Sequence, residues 1–364
     1  MDFREVSEPD IELNLISNGR EEETAGDLWW AIRVGDCSLD ADLDFLDLGL
    51  LCFSHGSTES ISEPTPLTIP FRSGIMFSMA NVLSTAKRVQ IVHALVEGNS
   101  LRATARMAGV SRNTVNKLLL ELGAACDKFQ AEQPVDLPTS RIECDEIWSF
   151  VGMKAKSVPE ERRGEFGVGD VWTFVALDAE TKLCISWLVG PRDTPTATEF
   201  MQDVAGRVRR RVQLTTDGHK MYLEAVEDAF GAGIDYAMLH KIYGSVPETE
   251  TRYSPAVCNG TKRIAIQGDP DAAFVSTSYV ERSNLDMRMR MRRFTRFSKA
   301  LQQHYASLAL HFAYINWCRI HGTLRVTPAM AAGLATRPWE IENLLALMEP
   351  VQHSGGRPRL AKTI

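Results

Sequence analysis

No two cysteines in this sequence are spaced as a zinc-binding pair. The seven of them (Cys37, Cys52, Cys126, Cys144, Cys184, Cys258 and Cys318) are scattered, with no CxxC and no cysteine–histidine cluster. An odd, unpatterned set excludes a disulfide framework and a zinc finger, and predicts free thiols in a reducing cytoplasm. Also missing are a basic stretch followed by an apolar one near Met1 and any apolar run approaching a membrane span, so neither a signal peptide nor a transmembrane helix is expected. Composition is ordinary for a globular chain: 44% of the 364 residues are hydrophobic and 24% charged. Such a length accommodates two domains with connecting segments.

The net charge of -7 hides an asymmetry. Residues 1–75 hold 4 basic and 16 acidic side chains, leaving a mildly basic remainder of 36 and 31. Charge bears on partners rather than on fold, and only the remainder suits a polyanion. Residues 1–78 show no sustained period. They read as a poorly ordered acidic leader, an acidic regulatory arm being the alternative.

Helical patterning begins after Ser84, with Val89, Val92 and Val96 three and four apart. Gly98-Asn99 stops that helix, Ser100 caps the next, Gly109 breaks it, and Ser111 caps a longer one to about Cys126. Counted from Leu101, Ala105 is fifth, Gly109 ninth, Val115 fifteenth and Leu118 eighteenth. Two closely crossing helices need a small residue at the fifth place and a glycine able to adopt positive φ in the turn. Residues 79–129 are therefore expected to form an all-α helix-turn-helix DNA-binding domain. Arg112, Asn113, Asn116 and Lys117 then point outward as donors for base edges and phosphates.

A polar linker over 130–140 precedes a change of texture. Strands are predicted at about 142–151, 171–178, 183–189 and 212–216, a helix over 196–211, and a further strand near 234–239. An irregular insert (244–277) follows, then helices from Tyr279 to about Met348 and a flexible tail (349–364). Three successive strands followed by alternating helix and strand predict a mixed α/β sheet.

Three carboxylates occupy unusual places in this region. Asp145 lies inside the first strand, where an unpaired charge is costly unless a cation receives it. Asp217 ends a strand with Gly218 behind it, and Glu281 opens a helix. Carboxylates so placed can share two divalent ions about 3.5–4 Å apart. Hard oxygen donors suit Mg²⁺, with Mn²⁺ able to substitute. Glu143 shares Asp145's face of the strand, whereas Glu146 faces away, which favours Asp145. Asp178 reads as a turn residue, His219 and Lys220 as possible assistants at a scissile phosphate, and Trp148, Trp172 and Trp187 as core aromatics. Arg288, Arg292 and Arg296 recur every four residues behind Glu281, a stripe suited to a phosphate backbone.

The segments CDEIWSFVG (144–152), GDVWTFVALDAETKLCISWLVGPRD (169–193), LTTDGHK (214–220) and YVERSN (279–284) resemble DDE-type transposases of bacterial insertion sequences, closest to the insertion-sequence-one group. The resemblance runs from about Met79 to Leu345 and implies a ribonuclease-H-like catalytic core over 141–297, with helices 298–348 packing on it. By that resemblance Asp145, Asp217 and Glu281 form the catalytic, metal-holding triad, and Arg288 stands seven positions after the glutamate, where members carry a basic residue. It implies Mg²⁺-dependent 3′-end cleavage and strand transfer on element ends and target DNA, by a homodimer or higher multimer with no membrane partner. A structure-specific nuclease on the same fold, or a DNA-binding regulator with a dead core, are the alternatives.

Overall fold

In the computed structural model, residues 83–165, 168–244, 258–291, 294 and 301–348 are described. The acidic leader and the tail predicted from the sequence lie outside them. Three helices come first: α1 (Thr85–Val96), α2 (Leu101–Ala108) and α3 (Arg112–Glu132). Each begins where a serine hydroxyl accepts a first-turn amide. Ser84 takes Lys87 N at 3.3 Å, Ser100 takes Ala103 N at 3.2 Å and Ser111 takes Thr114 N at 3.1 Å. Gly109 closes α2 with φ +65°, the left-handed conformation that the tight α2–α3 turn requires.

The sheet follows. Strands β1 (Arg141–Val151), β2 (Gly169–Asp178) and β3 (Cys184–Gly190) form an antiparallel meander. After α4 (Thr194–Arg207), β4 (Gln213–Asp217) pairs parallel to β1. Helix α5 (Met221–Phe230) leads to β5 (Asp235–Tyr243), parallel to β4, and β6 (Cys258–Gln267) adds antiparallel to β5. The result is one six-stranded mixed sheet of order β3-β2-β1-β4-β5-β6. Strand β6 corrects the expectation of an irregular insert. As the terminal strand it buries almost nothing, and Thr261, Lys262 and Arg263 are exposed, so it carries no alternating apolar signal. Beyond it come α6 (Ser278–Arg290), α7 (Leu301–Ala313), a π-helical turn (Tyr314–Cys318), α8 (Pro328–Ala331) and α9 (Ile341–Leu345).

Side-chain alternation divides the core in two. Odd-numbered residues of the central strands (Ile147, Val151, Val171, Val175) pack beneath α1–α3, α6, α7 and α9. Even-numbered ones (Ile142, Cys144, Phe174, Ala176) pack with α4 and α5 on the other face. The N-terminal helices thus share an apolar core with the sheet. Helix α3 runs on into the stretch expected as linker. There the Gln130 side-chain amide donates to Ala309 O at 2.9 Å, and Arg207 donates to Gln130 O at 3.0 Å. At the β3 end of the sheet, the buried Asn316 amide accepts from Cys184 N (3.0 Å) and donates to Cys184 O (2.9 Å), replacing a rung of ladder. No helix among the described residues is long and apolar enough to cross a membrane.

On α7, His311 is buried with no partner for Nε2, against the Phe312 ring. Burial, reinforced by Arg290 and Arg319, lowers its pKa to about 4. In the unfolded chain the imidazole takes a proton near its ordinary pKa of 6.5, well before the folded one does. The stabilisation from keeping it neutral is therefore complete above pH 6.5 and is lost as pH falls towards 4. His311→Leu is expected to remove about 3 kcal/mol of this acid sensitivity, read from urea unfolding across that range. An unchanged slope would refute it.

Candidate metal centre

The carboxylates gather where the sheet opens. Strands β1 and β4 pair from Arg141↔Gln213 to Glu143↔Thr215 and no further. Past that point β1 runs on to Val151 while β4 ends at Asp217, and in the gap where the two cease to pair Asp145, Glu146 and Asp217 bring carboxylate oxygens within 4.8 Å of one another. Asp145 reaches it from the face carrying α6, where Asn284 Nδ2 donates to Asp145 Oδ2 at 2.8 Å. Glu146 reaches it from the opposite face. There Tyr222 Oη donates to Glu146 Oε2 at 2.8 Å, and Arg192 Nε donates to Glu146 Oε1 at 2.6 Å. Asp217 ends β4 and accepts its own turn's His219 N at 3.1 Å. Arg192 Nη2 lies 3.7 Å from Asp217 Oδ2, and the guanidinium sits 4.5 Å from the centre of the Trp172 ring.

Burial, aggravated by the charges of Glu146 and Asp217, raises the Asp145 pKa to about 7. Glu146 is also raised, chiefly by burial and by Asp217, despite its bonds to Tyr222 and Arg192. Mutual repulsion in a desolvated gap is what a divalent cation relieves, and an all-carboxylate oxygen donor set suits a hard ion. The residues present therefore fit the metal that the sequence implied.

Glu281 stands beside this trio rather than in it. Its charge is felt at Asp145, yet its Oε1 accepts from Thr277 Oγ1 and lies 2.6 Å from Lys241 Nζ. Glu143, on Asp145's face as expected, is occupied elsewhere. Its Oε2 accepts Tyr279 N (2.7 Å) and Val280 N (3.0 Å), tying the start of α6 to β1. Glu143→Ala strands two amides at the base of the glutamate's helix and is expected to cost about 2 kcal/mol by thermal unfolding. Glu143→Gln keeps an acceptor and should recover most of that; equal losses in the two variants would refute this role.

His219 and Lys220 do not enter the gap through any observed bond: His219 Nδ1 accepts from Met221 N at 3.4 Å, and Lys220 is exposed. A Cβ at Gly218 would lie 2.5 Å from His240 Nδ1, so a larger residue there would have to displace that imidazole. Asp178 accepts Glu180 N (2.7 Å) and Thr181 N (3.2 Å), which is turn work. Trp187 is buried against Phe312, whereas Trp172 and Trp148 are half-buried, under Arg192 and beside Lys154 respectively.

On the first turns of α3, Arg112, Asn113 and Lys117 are exposed, Lys117 lying 3.7 Å from Glu121. Asn116 departs from the expectation of an outward donor: it is half-buried, with Oδ1 buried and without a partner. Arg288 is exposed on α6, which ends at Arg290 with Met291 extended. Arg292 and Arg296 lie outside the described residues.

Sequence reasoning set Glu146 aside for facing away from Asp145, and it missed Arg192. The signal for Arg192 was a cation directly after the buried strand β3, two residues past Gly190.

No family model matches the chain, and no curated protein does. Among solved structures, the chain is similar to a piggyBac transposase synaptic complex with hairpin DNA, with TM-score 0.33 and 13% identity over 72% of this chain and 70% of that one. It is also similar to a Mos1 strand transfer complex, with TM-score 0.20 and 13% identity over 60% of this chain and 72% of that one. Both likenesses are too distant to bear on chemistry.

Proposed function

We propose that this protein is a metal-dependent DNA transposase of the DDE type, with a ribonuclease-H-like sheet carrying Asp145, Asp217 and Glu281 as its catalytic carboxylates. The observation that carries the reading is the gap between β1 and β4, where Asp145, Glu146 and Asp217 converge with the Asp145 pKa raised to about 7. Asp145 and Asp217 would hold Mg²⁺ or Mn²⁺, with Glu281 joining them once it leaves Lys241. When bound, the metal supplies charge for activating a water or 3′-hydroxyl and for stabilising a leaving oxygen. The remaining work belongs to the chain. Asn284 fixes one oxygen of Asp145 and so sets the direction of the other. Tyr222 and Arg192 hold Glu146. Arg192, only partly exposed beside Asp217, offers a cation to a phosphate arriving at the gap.

DNA would be read through α2 and α3, with Arg112 and Asn113 directed at base edges and Lys117 at phosphate. Residues 79–129 would form the reader, 141–297 the catalytic unit and 298–348 its supporting helices, acting as a dimer or larger assembly on DNA. The deciding experiment incubates labelled element-end DNA and a target with the full chain and Mg²⁺. Joined product that depends on Mg²⁺ supports the reading. Cleavage without joining turns it into a nuclease, and neither activity leaves a DNA-binding regulator. Ala at Arg112 or Asn113 should weaken end binding about tenfold each; unchanged affinity in both would remove the reader assignment.

A further inference from the structure

On the side of α6 away from Asp145, a cleft of about 540 Å³ lies between that helix, the β2–β3 turn and the segment after the π-helical turn. Its size falls in the usual range of small-ligand sites. The walls are Lys182, Tyr279, Arg282, Arg319 and His321, with Leu324 and Pro328 among the apolar lining. The acids that line it are already engaged. Asp286 is paired with Arg290 (3.1 Å) and Arg319 (2.9 Å), and Glu180 with Arg141 (2.9 Å). Arg282 is exposed and has no ion-pair partner among the described residues.

Lys182 adopts φ +61°, a conformation rarely taken by a residue with a side chain, and its Nζ lies 3.0 Å from the centre of the Tyr279 ring. Tyr279 is 46% exposed, enough to leave part of the ring open to a ligand. His321 contributes a buried Nδ1 without a partner. Burial, together with Lys182 and Arg319, lowers its pKa, so the imidazole adds no charge but keeps its hydrogen-bonding capacity.

Lys182 and Arg282, in no ion pair among the described residues, Arg319 shared with Asp286, a partly open aromatic ring and an unsatisfied ring nitrogen form a set suited to a phosphate attached to a planar heterocycle. The geometry points to this cleft as a binding site for one nucleotide unit, its base against Tyr279 and its phosphate between Arg282, Arg319 and His321. The unit belongs either to a single strand of DNA or to a free mononucleotide. Binding here requires no divalent cation, so the site stands apart from the carboxylate reading and survives its failure.

The test uses the full chain in EDTA with a short single-stranded oligothymidylate carrying one 5-iodouracil. Fluorescence anisotropy gives affinity, and irradiation followed by mass spectrometry locates the crosslink. Expected are a crosslink at Tyr279, a loss of affinity of about tenfold for Arg282→Gln, and a similar loss for Tyr279→Ala that Tyr279→Phe largely restores. Lys182→Gly relaxes the positive φ, so it should keep or raise the unfolding temperature while weakening binding about fivefold. Competition by dTMP at equal concentration assigns the site to free nucleotides; competition only by unlabelled oligonucleotide assigns it to a strand. Unchanged affinity in both Arg282→Gln and Tyr279→Ala, or crosslinks confined to residues outside the cleft, overturns the proposal.

Discussion

Asp217→Asn is expected to lower Mg²⁺-dependent joining of DNA by on the order of 10³-fold or more, equivalent to about 4 kcal/mol of barrier. Asparagine keeps the shape and one oxygen but gives up the charge that a divalent ion needs at the end of β4. The same change should make the metal-free protein more stable, because Asp217 is one of the three carboxylates, with Glu146 and Glu281, whose charge adds to burial in raising Asp145. Removing that charge moves Asp145 back towards ordinary carboxylate behaviour, so less free energy is spent ionising it at neutral pH. Differential scanning calorimetry separates the two effects. In EDTA the variant should unfold at higher temperature than the native chain. Mg²⁺ at about 100 times its dissociation constant should stabilise the native chain by about 2.7 kcal/mol and the variant by far less. Joining that survives in the variant, or an unfolding temperature of the native chain that ignores Mg²⁺, would sink the assignment of these oxygens to a metal.

The second large effect lies far from the carboxylates. A Cβ built on Gly123 of α3 would lie 2.5 Å from Ala306 Cβ and 2.6 Å from Ala306 Cα on α7. Two helix backbones meet there with no room for a methyl group, and the contact is to main chain and Cβ rather than to a flexible tip. Gly123→Leu is expected to destabilise the protein by about 3 kcal/mol or more, since overpacking at a rigid contact must push the helices apart. Gly123→Ala should cost less, and adding Ala306→Gly should restore part of the loss even though glycine is a poor helix former. Chemical unfolding of the single and double variants gives the coupling. Additive losses would show that the two helices are not held by this contact.

Much of this architecture could be read from local pattern. Ser84, Ser100 and Ser111 announce three helix starts because a hydroxyl before an apolar period has few other uses. The alternation along β1 and β2 announces strands with two buried faces. Asp145 and Asp217 stand out because charge inside or at the end of an apolar run needs a reason. What escaped was decided by distant pairing. Glu146 does face away from Asp145 along β1, as alternation requires; it meets Asp217 only because β4 stops pairing with β1 after Thr215. The halt of α6 at Arg290 is not marked by glycine or proline in the sequence. Strand β6 gains its order from β5 rather than from its own composition.

The two ends of the sheet are finished differently, and this governs how the protein behaves when crowded. An open sheet offers an unpaired backbone at each outer strand, a template on which other chains can polymerise. At β3 the Asn316 amide fills one such position as a molecular plug. At β6 the exposed Lys262 and Arg263 act as electrostatic fenders against a like-charged neighbour. Charge-neutral replacements at Lys262 and Arg263 would therefore be felt first as aggregation in concentrated stocks, before any change in folding equilibrium.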